Sequence, residues 1–491
     1  MKINDKIKKN INNSVVRIIA ESIDINWNIP YIMENPEKGQ GTGFFIKSRY
    51  ILTCSHVVDS AKNVYIEIPS IGIEKYQCDI IFICPHYDIA MLKTKDYKSK
   101  YVVELGNSDK LQTGDEVYVI GYPASFRPSN NSINNLKFTK GIINGQQYGL
   151  IQTDSTINPG NSGGPLFYKN KVIGINSRKL VSNSIENVGY AVPINSYKII
   201  KDKIFFTKDV KETKIIYRPN LLIDFDNTQP YIIKDLTNNK VDNGIIISKI
   251  YNFSILNNKK DNKKNKKEDK KNKEDTNIRV GSIITKINNI NINNYGLSNN
   301  YWIGTQVDFN NILNKFKNNT SIKIEYYNDN IKHMQNIILK PYIPIIRRIY
   351  PVFEKVDYFI IAGVIFMNFS LNNVSNSKNN LDILCVINDI DDIDKPKLFV
   401  SFIFPNSLVN IINNIKKYNF ISKVNNIPVN TINELKKAIM KPIKINNKLF
   451  IKIEESHGSS ILLSINDVIK QDIILSETYK YELNDFHKKY Q

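Results

Sequence analysis

The sequence predicts a mainly β protein that contains more than one domain. The chain is 491 residues long, enough for roughly two to four domains of ordinary size. Its first 200 residues alternate short β-branched or aromatic runs with turns, and one eight-residue motif occurs twice further along. Hydrophobic residues make up 42% and charged residues 23% of the chain, a composition typical of soluble globular proteins with buried cores.

Nine segments of the first 200 residues have the composition of β-strands. Short strands at this spacing are typical of a sandwich or a barrel. A single closing helix is predicted over Tyr197–Phe206, within a first domain of residues 1–205. The predicted strands are Val15–Ile19, Gly43–Ile46, Val64–Ile68, Ile80–Cys84, Ile89–Leu92, Glu116–Ile120, Leu150–Thr153, Lys171–Ile175 and Gly189–Val192.

Two further domains are predicted over residues 214–340 and 341–475, followed by a tail over 476–491. The motif KINNININ at 286–293 and the motif KVNNIPVN at 423–430 are identical at five of eight positions and exchange Ile for Val at two more. Each is followed by helix-compatible sequence, which favours two copies of one module. Residues 257–277 interrupt the first copy with nine Lys against five Asp and Glu; such a tract cannot bury a core and is predicted to be a disordered surface insertion.

The net charge of +20 would favour attraction to nucleic acid or to an acidic membrane. Part of this charge is local, because the Lys/Asn tract contributes about +4 and residues 1–10 about +3. The sequence shows no arginine-rich stripe, zinc-finger spacing or aromatic RNA platform, so a nucleic-acid partner is not expected. The alternative, association with nucleic acid through the Lys/Asn tract, predicts nucleic-acid binding that weakens steeply with salt and disappears when residues 257–277 are deleted.

The cysteines and the apolar runs indicate the compartment. Cys54, Cys78, Cys84 and Cys385 are too sparse for a disulfide framework or a zinc site, which favours a reducing environment. The N-terminus lacks a convincing signal or transit peptide. The longest apolar run, Tyr358–Met367, has ten residues, against about 20 needed to span a bilayer. We therefore expect a soluble protein of the cytosol or nucleus, with no membrane span.

The strongest chemical signal is the glycine-rich segment Asn158-Pro-Gly-Asn-Ser-Gly-Gly-Pro-Leu166. Flanking glycines can hold Ser162 on a tight turn where backbone N–H groups converge to stabilise an oxyanion. A serine nucleophile needs a base; His56 ends an apolar strand, and Asp88 begins a later one. The order His56, Asp88, Ser162 is that of chymotrypsin-like enzymes. The glycines also fit an α/β-hydrolase elbow, but here strand-like sequence follows the turn and no suitable later histidine exists.

Other residues compete for two of these roles. His86 is the rival of His56, and as a lone histidine on a loop it is expected to be solvated. Asp79 and Asp154 are the rivals of Asp88. Asp154 is expected to accept hydrogen bonds from loop backbone donors.

Eight motifs within the first 200 residues together resemble the Deg/HtrA (DegP-like, Do-like) serine proteases. The resemblance implies a chymotrypsin-like double β-barrel followed by two PDZ-like α+β domains, and the layout after the barrel is similar to the plant-type Deg branch. The motifs are Gly41-Thr-Gly-Phe-Phe-Ile46, Ile51-Leu-Thr-Cys-Ser-His-Val-Val58, Asp88-Ile-Ala-Met-Leu-Lys93, Gly121-Tyr-Pro123, Gln152-Thr-Asp154, Gly160-Asn-Ser-Gly-Gly-Pro165, Val172-Ile-Gly-Ile-Asn176 and Gly189-Tyr-Ala-Val-Pro193.

The resemblance implies a role for each residue of the motif set. Ser162 would be the nucleophile, His56 the general base and then the acid, and Asp88 the group that orients the imidazole. The backbone N–H groups of Gly160 and Ser162, with Asn161 between them, would form the oxyanion hole.

The resemblance also implies a primary specificity pocket beside the nucleophile. No acidic residue stands at its expected base, so a Lys or Arg side chain would be buried there without a partner, at a cost of several kcal/mol. Small or medium aliphatic residues are therefore expected before the scissile bond. The residues expected to line the pocket are Thr156, Ile157, Gly174, Ile175 and Asn176.

The expected function is that of an ATP-independent serine endopeptidase, without cofactor or metal, that degrades unfolded or damaged proteins through an acyl-enzyme. Its expected partners are unfolded protein or peptide substrates and further copies of itself, in a trimer or a multiple of three. The alternative is a catalytically latent holdase or scaffold that binds unfolded chains through the same barrel and PDZ-like domains. Loss of turnover on Ser162→Ala would distinguish the two.

Three positions depart from the family pattern. Cys54 stands where the family commonly has Asn; it is expected to be a buried free thiol, with redox control as the alternative. The Asn-rich loop Ser125–Lys140 lies where the family has activation loops. In the first PDZ-like domain Pro219–Ile223 occupies the place of the carboxylate-binding loop, with Leu222 where Gly is usual, and backbone strand addition would remain available there.

Overall fold

A computed structural model describes residues 5–33, 35–123, 136–177, 188–201, 214–257, 277–376 and 380–491. The chain folds into two compact units. The first unit comprises Met1–Ser22 and Glu37–Tyr342, and the second comprises Ile23–Pro36 and Ile343–Gln491. Strands dominate both units, so the prediction of a mainly β protein is confirmed.

The first barrel closes in the strand order β5-β4-β1-β2-β3-β6, with β6 pairing back onto β5. Burial alternates in part of this barrel, as in β1, where Val16, Ile18 and Ala20 are buried, whereas β6 is buried along most of its length. A short strand, β13, adds to β5 in parallel. The elements are α1 (Asp5–Ser14), β1 (Val15–Ser22), β2 (Glu37–Lys47), β3 (Tyr50–Thr53), β4 (Ala61–Glu67), β5 (Lys75–Cys84), β6 (Ile89–Thr94) and β13 (Lys214–Ile215).

The second barrel closes in the order β10-β11-β12-β9-β8-β7. Together the two six-stranded barrels confirm the predicted chymotrypsin-like double barrel. The elements are β7 (Glu116–Gly121), β8 (Lys137–Gln147), β9 (Leu150–Thr153), β10 (Pro165–Tyr168), β11 (Lys171–Ser177), β12 (Gly189–Pro193) and α2 (Ile194–Ile200).

Two local predictions in this region need correction. The helix α2 begins at Ile194 rather than at Tyr197, because Pro193 directly before it suits the entry to a helix; residues 202–206 lie outside the described residues. The predicted loop Ser125–Lys140 is wrong for its last four residues, which belong to β8 and pair with β7. Only one residue of β8 is buried, so the strand lacks the apolar alternation that would have revealed it. Residues 125–135 lie outside the described residues.

The first unit also contains an antiparallel sheet with the strand order β14-β15-β16-β20-β21. We call the region from β14 to β21 the first module; of the predicted insertion at 257–277, the structure describes only the two end residues. The elements are β14 (Ile223–Asp226), α3 (Pro230–Leu236), β15 (Ile245–Ile250), β16 (Ile283–Ile287), β17 (Ile290–Asn291), β18 (Leu297–Trp302), β19 (Thr305–Asp308), α4 (Phe309–Leu313), β20 (Ser321–Asn328) and β21 (Ile331–Ile338).

The second unit is built on a sheet with the order β22-β23-β24-β25-β28-β27. The segment Ile23–Pro36 joins it, and the Ser401 hydroxyl donates to the Asn28 carbonyl at 3.0 Å. The elements are β22 (Tyr358–Ile361), β23 (Val364–Asn368), α5 (Leu381–Asn388), α6 (Ile390–Ile393), β24 (Leu398–Ile403), α7 (Leu408–Ile412), β25 (Phe420–Val424), β26 (Ile427–Pro428), α8 (Ile432–Ile439), β27 (Ile443–Ile445), β28 (Lys448–Glu455), β29 (Ser460–Ser464), α9 (Ile465–Tyr479) and α10 (Asp485–Tyr490).

The C-terminal residues 476–491 pack against this second unit. They include the end of α9 and all of α10, whose Phe486 is fully buried. No helix in the described part of the chain combines the length and the apolar character needed to cross a membrane.

The repeated sequence motif forms the same local structure in both units. In each copy a strand turns through two Asn residues into a short return strand. The side chain of Asn288 accepts a hydrogen bond from the Lys323 N–H at 2.8 Å, and that of Asn425 accepts one from the Lys452 N–H at 2.9 Å. The N–H groups of the same two asparagines donate back to the carbonyls of these lysines. The match extends beyond composition, which supports two copies of one module.

Candidate active site

His56 and Asp88 meet at the edge of the first barrel. His56 lies in a single 3₁₀ turn, Ser55–Val57, directly after β3, and Asp88 lies in the turn between β5 and β6. The Nδ1 atom of His56 is 2.8 Å from Asp88 Oδ2 and 3.0 Å from Oδ1. The backbone N–H of His56 also donates to Asp88 Oδ1 at 3.0 Å. With Nδ1–H donating to the carboxylate, Nε2 remains available as a base.

Asp88 is held as an anion by its hydrogen bonds. Burial of Asp88, which is 3% exposed, would raise the pKa of its carboxyl group. The hydrogen bonds and charge of His56 and the Ser177 hydroxyl outweigh burial, and the pKa lies below its ordinary value. Ser177 donates to Asp88 Oδ2 at 2.6 Å. Sequence reasoning missed Ser177: it directly follows the recognised motif that ends at Asn176, but no spacing rule identifies it.

Ser162 lies on the tight turn that the sequence predicts. Gly160 and Gly163 on either side of it have φ values of +92° and +84°, a left-handed region that favours glycine. A Cβ on Gly163 would lie 2.1 Å from Thr53 Oγ1 and 2.2 Å from the Thr42 carbonyl, so no side chain fits there. The turn is therefore packed directly against the backbone of the first barrel.

Gly41 packs between the Ser162 turn and the turn that carries His56. A Cβ added to Gly41 would lie 2.5 Å from Val57 Cγ1 and 3.3 Å from the Ser162 carbonyl. The Ser162 side chain is largely buried, whereas the His56 ring is 34% exposed. Among the described residues no hydrogen bond joins the Ser162 hydroxyl to the His56 ring, a contact that in unliganded enzymes often tightens only with substrate.

The backbone around Ser162 offers two free donors. The Asn161 N–H donates to the Asn158 carbonyl at 3.0 Å, and the Gly163 N–H donates to the Asn176 carbonyl at 2.8 Å. Within the part of the chain that the structure describes, the N–H groups of Gly160 and Ser162 have no protein acceptor. These two N–H groups can therefore bind a negatively charged oxygen, whereas the Asn161 N–H is already used.

The residues expected to line a specificity pocket differ in their exposure, and some of their side chains are fully buried. Thr156 is exposed, and Ile157 packs beside Gly189, where an added Cβ would lie 3.0 Å from the Ile157 side chain. Gly174 lies on β11 opposite Pro193 of β12. The side chains of Ile175 and Asn176 are fully buried, and the structure does not bring them to an accessible surface.

Asn176 instead supports the Ser162 turn. Its N–H donates to the Gly164 carbonyl at 2.8 Å, and its side-chain amide donates to the Pro165 carbonyl at 3.2 Å. Its carbonyl accepts the Gly163 N–H. The position of the turn therefore depends on β11.

The rival residues take no part in this arrangement. His86 is exposed, and its ring packs against Tyr217 with the centroids 5.8 Å apart. The Asp79 side chain is 57% exposed and pairs with Lys95 at 3.6 Å. Asp154 accepts a backbone N–H, as expected, but the donor is Ile142 of strand β8, at 2.7 Å, rather than a loop residue.

Cys54 is a fully buried free thiol next to the acid. Its Sγ donates to the Asn176 carbonyl at 3.2 Å. Burial, and then the charge of Asp88, raise the pKa of the thiol well above its ordinary value. The ligand atoms of Cys54, His56 and Asp88 lie within 4.8 Å of one another, but a metal would need the thiolate and would have to break the His56–Asp88 contact. The site therefore does not fit a resident metal.

Residues 41–175 match the trypsin-like peptidase domain family. The matched range contains His56, Asp88 and Ser162. The chain is 32% identical over 189 residues to the serine protease Do-like HtrA of Bacillus subtilis, an alignment that covers 35% of this chain and 40% of that protein. It is 38% identical over 166 residues to a probable periplasmic serine endoprotease DegP-like of Pseudomonas putida, with 32% of each chain covered. The alignments thus span less than half of either relative.

Solved structures of similar proteins were also found. The HtrA-type protease AlgW with tripeptide aligns over 69% of this chain and 97% of its own, with 20% identity and a TM-score of 0.47. A serine endoprotease from Yersinia pestis aligns over 70% of this chain and its full length, with 18% identity and a TM-score of 0.43.

Proposed function

We propose that this chain is a serine endopeptidase of the Deg/HtrA type, which degrades unfolded or damaged proteins without ATP. The observation that carries the proposal is the 2.8 Å contact between His56 Nδ1 and the buried Asp88 carboxylate, inside a range that matches the trypsin-like peptidase domain and contains Ser162. A buried carboxylate that fixes the tautomer of a partly exposed histidine is the arrangement needed to activate a serine.

Acylation begins with attack by the Ser162 hydroxyl on the scissile carbonyl carbon. His56 Nε2 takes the hydroxyl proton, and the imidazolium that results is stabilised by Asp88. The carbonyl oxygen becomes an oxyanion that accepts hydrogen bonds from the N–H groups of Gly160 and Ser162. When the carbon–nitrogen bond breaks, His56 gives the proton to the leaving amine, and an acyl-enzyme ester on Ser162 remains.

Deacylation repeats these steps with water in place of serine. His56 takes a proton from water, which attacks the ester, and then returns the proton to Ser162 Oγ as the ester bond breaks. The products are a new carboxylate and a new amine. No cofactor, metal or nucleotide is needed to balance the reaction.

The proposed specificity is for small or medium aliphatic residues before the scissile bond. Ile157 would supply an apolar wall. Gly174, where an added Cβ would lie 3.1 Å from the Ala191 Cβ, would act through its backbone. Ile175 and Asn176, which are fully buried, would act through their backbone only. A cationic side chain would find no acidic partner among these residues.

We also propose that residues 214–340 and 341–475 are two PDZ-like domains that present substrate, in the plant-type Deg layout. Strand β14 lies at the edge of its sheet, where an extended peptide could add by backbone hydrogen bonding. Leu222, just before it, has a φ of +53°, a conformation that favours the Gly usual at this position. In the second unit the N–H groups of Ala362 and Gly363, in the turn before β23, donate to the Asp472 carboxylate, each at 2.8 Å. These two N–H groups are therefore already used and would not be available to a bound peptide.

The proposed assembly is a homotrimer or a multiple of three, located in the cytosol or nucleus. Four free cysteines, three of them buried, support a reducing compartment. Sedimentation analysis of the Ser162→Ala protein, which cannot digest itself, would test the assembly. A monomer at micromolar concentration would contradict it.

The proposed activity is tested by cleavage of casein at neutral pH without ATP or metal, with wild type and Ser162→Ala compared. The proposal predicts that cleavage is lost in the variant by several orders of magnitude, because nucleophile, base and orienting acid act as a unit. Cleavage that persists in Ser162→Ala would contradict it. If neither protein cleaves casein and both suppress its aggregation, the chain acts as a holdase.

A further inference from the structure

Thr42 lies where both barrels and the Ser162 turn meet. It belongs to β2 of the first barrel and is fully buried. Its hydroxyl donates to the Gly160 carbonyl at 2.6 Å and accepts the Tyr122 N–H, just beyond β7 of the second barrel, at 2.9 Å. Because the N–H of Tyr122 can only donate and the carbonyl of Gly160 can only accept, the direction of both bonds is fixed.

The backbone of Thr42 holds the other end of the same segment. Its N–H donates to the Ser162 carbonyl at 2.9 Å. Its own carbonyl accepts the Thr53 hydroxyl at 2.8 Å, three residues before His56. One residue therefore holds the segment Gly160–Ser162 at both ends and connects it to β3, the strand that leads into the turn carrying His56.

The clamped segment carries the two free N–H groups of the site. The Gly160 carbonyl accepts from Thr42 and the Asn161 N–H donates to the Asn158 carbonyl. These two bonds oppose rotation of the peptide plane between Gly160 and Asn161, although a glycine with a φ of +92° has wide conformational freedom. The N–H groups of Gly160 and Ser162 flank that plane. Oxyanion stabilisation requires donors that are oriented before the reaction and lose strength with small displacements.

We propose that the Thr42 hydroxyl is a positioning group for the oxyanion hole: it fixes the Gly160 carbonyl so that the N–H groups of Gly160 and Ser162 remain directed at the reacting oxygen. This inference rests on the proposed protease activity. Thr42 touches no substrate and acts only through the Ser162 turn. Its loss should therefore impair the transition state and leave substrate binding almost unchanged.

The test compares Thr42→Val, which keeps the shape but removes the hydroxyl, with Thr42→Ser, which keeps the hydroxyl. For a fluorogenic peptide with an aliphatic residue before the scissile bond, kcat of Thr42→Val should fall about 10- to 100-fold, with KM within about twofold. This is less than the cost of removing one oxyanion donor, which is about 10²- to 10³-fold, because both donors remain and are only misdirected. Thr42→Ser should stay within about threefold of wild type. The Ki of a peptide boronate, whose tetrahedral adduct places an oxygen in the oxyanion hole, should rise in proportion to the loss of kcat/KM.

A matched control separates positioning from stability. Thr94, in β6 of the same barrel, is also fully buried, and its hydroxyl donates to the Tyr97 carbonyl at 2.6 Å. Thr94→Val should lower the melting temperature while kcat and the boronate Ki stay at the wild-type level. If Thr42→Val does not fold, Thr42→Cys takes its place, because a thiol is a weak donor and should give an intermediate loss of kcat.

Two results would overturn the inference. One is a Thr42→Val protein with wild-type kcat and boronate affinity; the other is a Thr42→Ser protein that loses as much kcat as Thr42→Val. Failure of the proposed function is a different result, because wild type itself would then neither turn over the peptide nor bind the boronate.

Discussion

The Ser177 hydroxyl donates a 2.6 Å hydrogen bond to Oδ2 of Asp88, the carboxylate oxygen that also faces His56 Nδ1. Asp88 is therefore held by two elements, the 3₁₀ turn after β3 that carries His56 and the end of β11 that carries Ser177, which belong to different barrels. The position of the acid depends on the docking of the two barrels.

Replacing Ser177 with Ala should weaken both catalysis and folding. A hydrogen bond to a charged group contributes about 1.5–3 kcal/mol, and its loss lets the Asp88 carboxylate turn away from the histidine. We expect kcat to fall about tenfold with little change in KM, as measured by peptide hydrolysis. Ser177→Thr keeps a hydroxyl and should recover most of the activity. Equal losses in Ser177→Ala and Ser177→Thr would contradict this role.

Asp88→Asn should nearly abolish turnover while the fold is retained. An amide cannot stabilise the imidazolium, and it favours the wrong histidine tautomer, a change that costs about 10⁴-fold in kcat for a comparable triad. Circular dichroism checks the fold, and pre-steady-state acylation measures the loss. Asp79→Asn is the control: Asp79 is exposed and pairs with Lys95 rather than with a histidine, so this variant should retain full activity. A loss smaller than about tenfold in Asp88→Asn would show that Asp88 does not orient the base.

The stability that Asp88 contributes to the fold should decrease as the solution becomes acidic. Because the pKa of Asp88 is lower in the folded state than its unfolded value of about 3.9, its ionised form stabilises the fold fully above about pH 4. This contribution is lost as the pH falls through the lower folded pKa. The difference in unfolding free energy between wild type and Asp88→Asn should therefore shrink between pH 6 and pH 2 in urea titrations. A difference that does not change with pH would contradict the assignment.

The cysteines should divide into reactive and inert groups. Cys385 is exposed, whereas Cys54 is buried with a raised thiol pKa, and burial raises the pKa of Cys78 to about 12. Thiolates are the reactive species, so iodoacetamide at pH 8 should modify Cys385 in the native protein and the buried thiols only after unfolding. Peptide mass mapping measures this. Native modification or oxidation of Cys54 together with loss of activity would instead support redox control.

A buried acid stabilises the second unit. Asp472 is fully buried; it accepts two backbone N–H groups and faces His487 Nε2 at 2.9 Å. The His487 Nδ1 accepts the Asn484 N–H at 3.2 Å, which places the ring proton on Nε2. Asp472→Asn would replace the carboxylate with an amide, whose NH₂ group cannot accept from these donors. We expect the free energy of unfolding to fall by about 3 kcal/mol.

Fluorescence can follow this unit separately. The chain has two tryptophans, and Trp27 lies in the second unit while Trp302 lies in the first. In a Trp302→Phe background the urea transition of Trp27 should move to lower denaturant in Asp472→Asn. Asp485→Asn, at a carboxylate that is 89% exposed, should leave the transition almost unmoved. Equal shifts in the two variants would contradict a special role for Asp472.

Prediction from the sequence succeeded where local signals were strong. Short β-branched and aromatic runs between turns revealed most barrel strands, and the glycines around Ser162 indicated its turn because few residues tolerate that backbone. The strand β8 was missed because its residues are mostly exposed. Thr42 and Ser177 were missed for another reason: their partners lie 118 and 89 residues away in the chain, and only the fold brings them together.

The central claim is that Ser162 is the activated nucleophile. A fluorophosphonate probe tests it directly, because an activated serine displaces fluoride and forms a stable Oγ–phosphorus bond. Peptide mapping of the labelled protein should place the adduct on Ser162, and Asp88→Asn and Ser162→Ala should remain unlabelled under the same conditions. Labelling of another serine, or casein cleavage by wild type without any adduct on Ser162, would contradict the proposed mechanism.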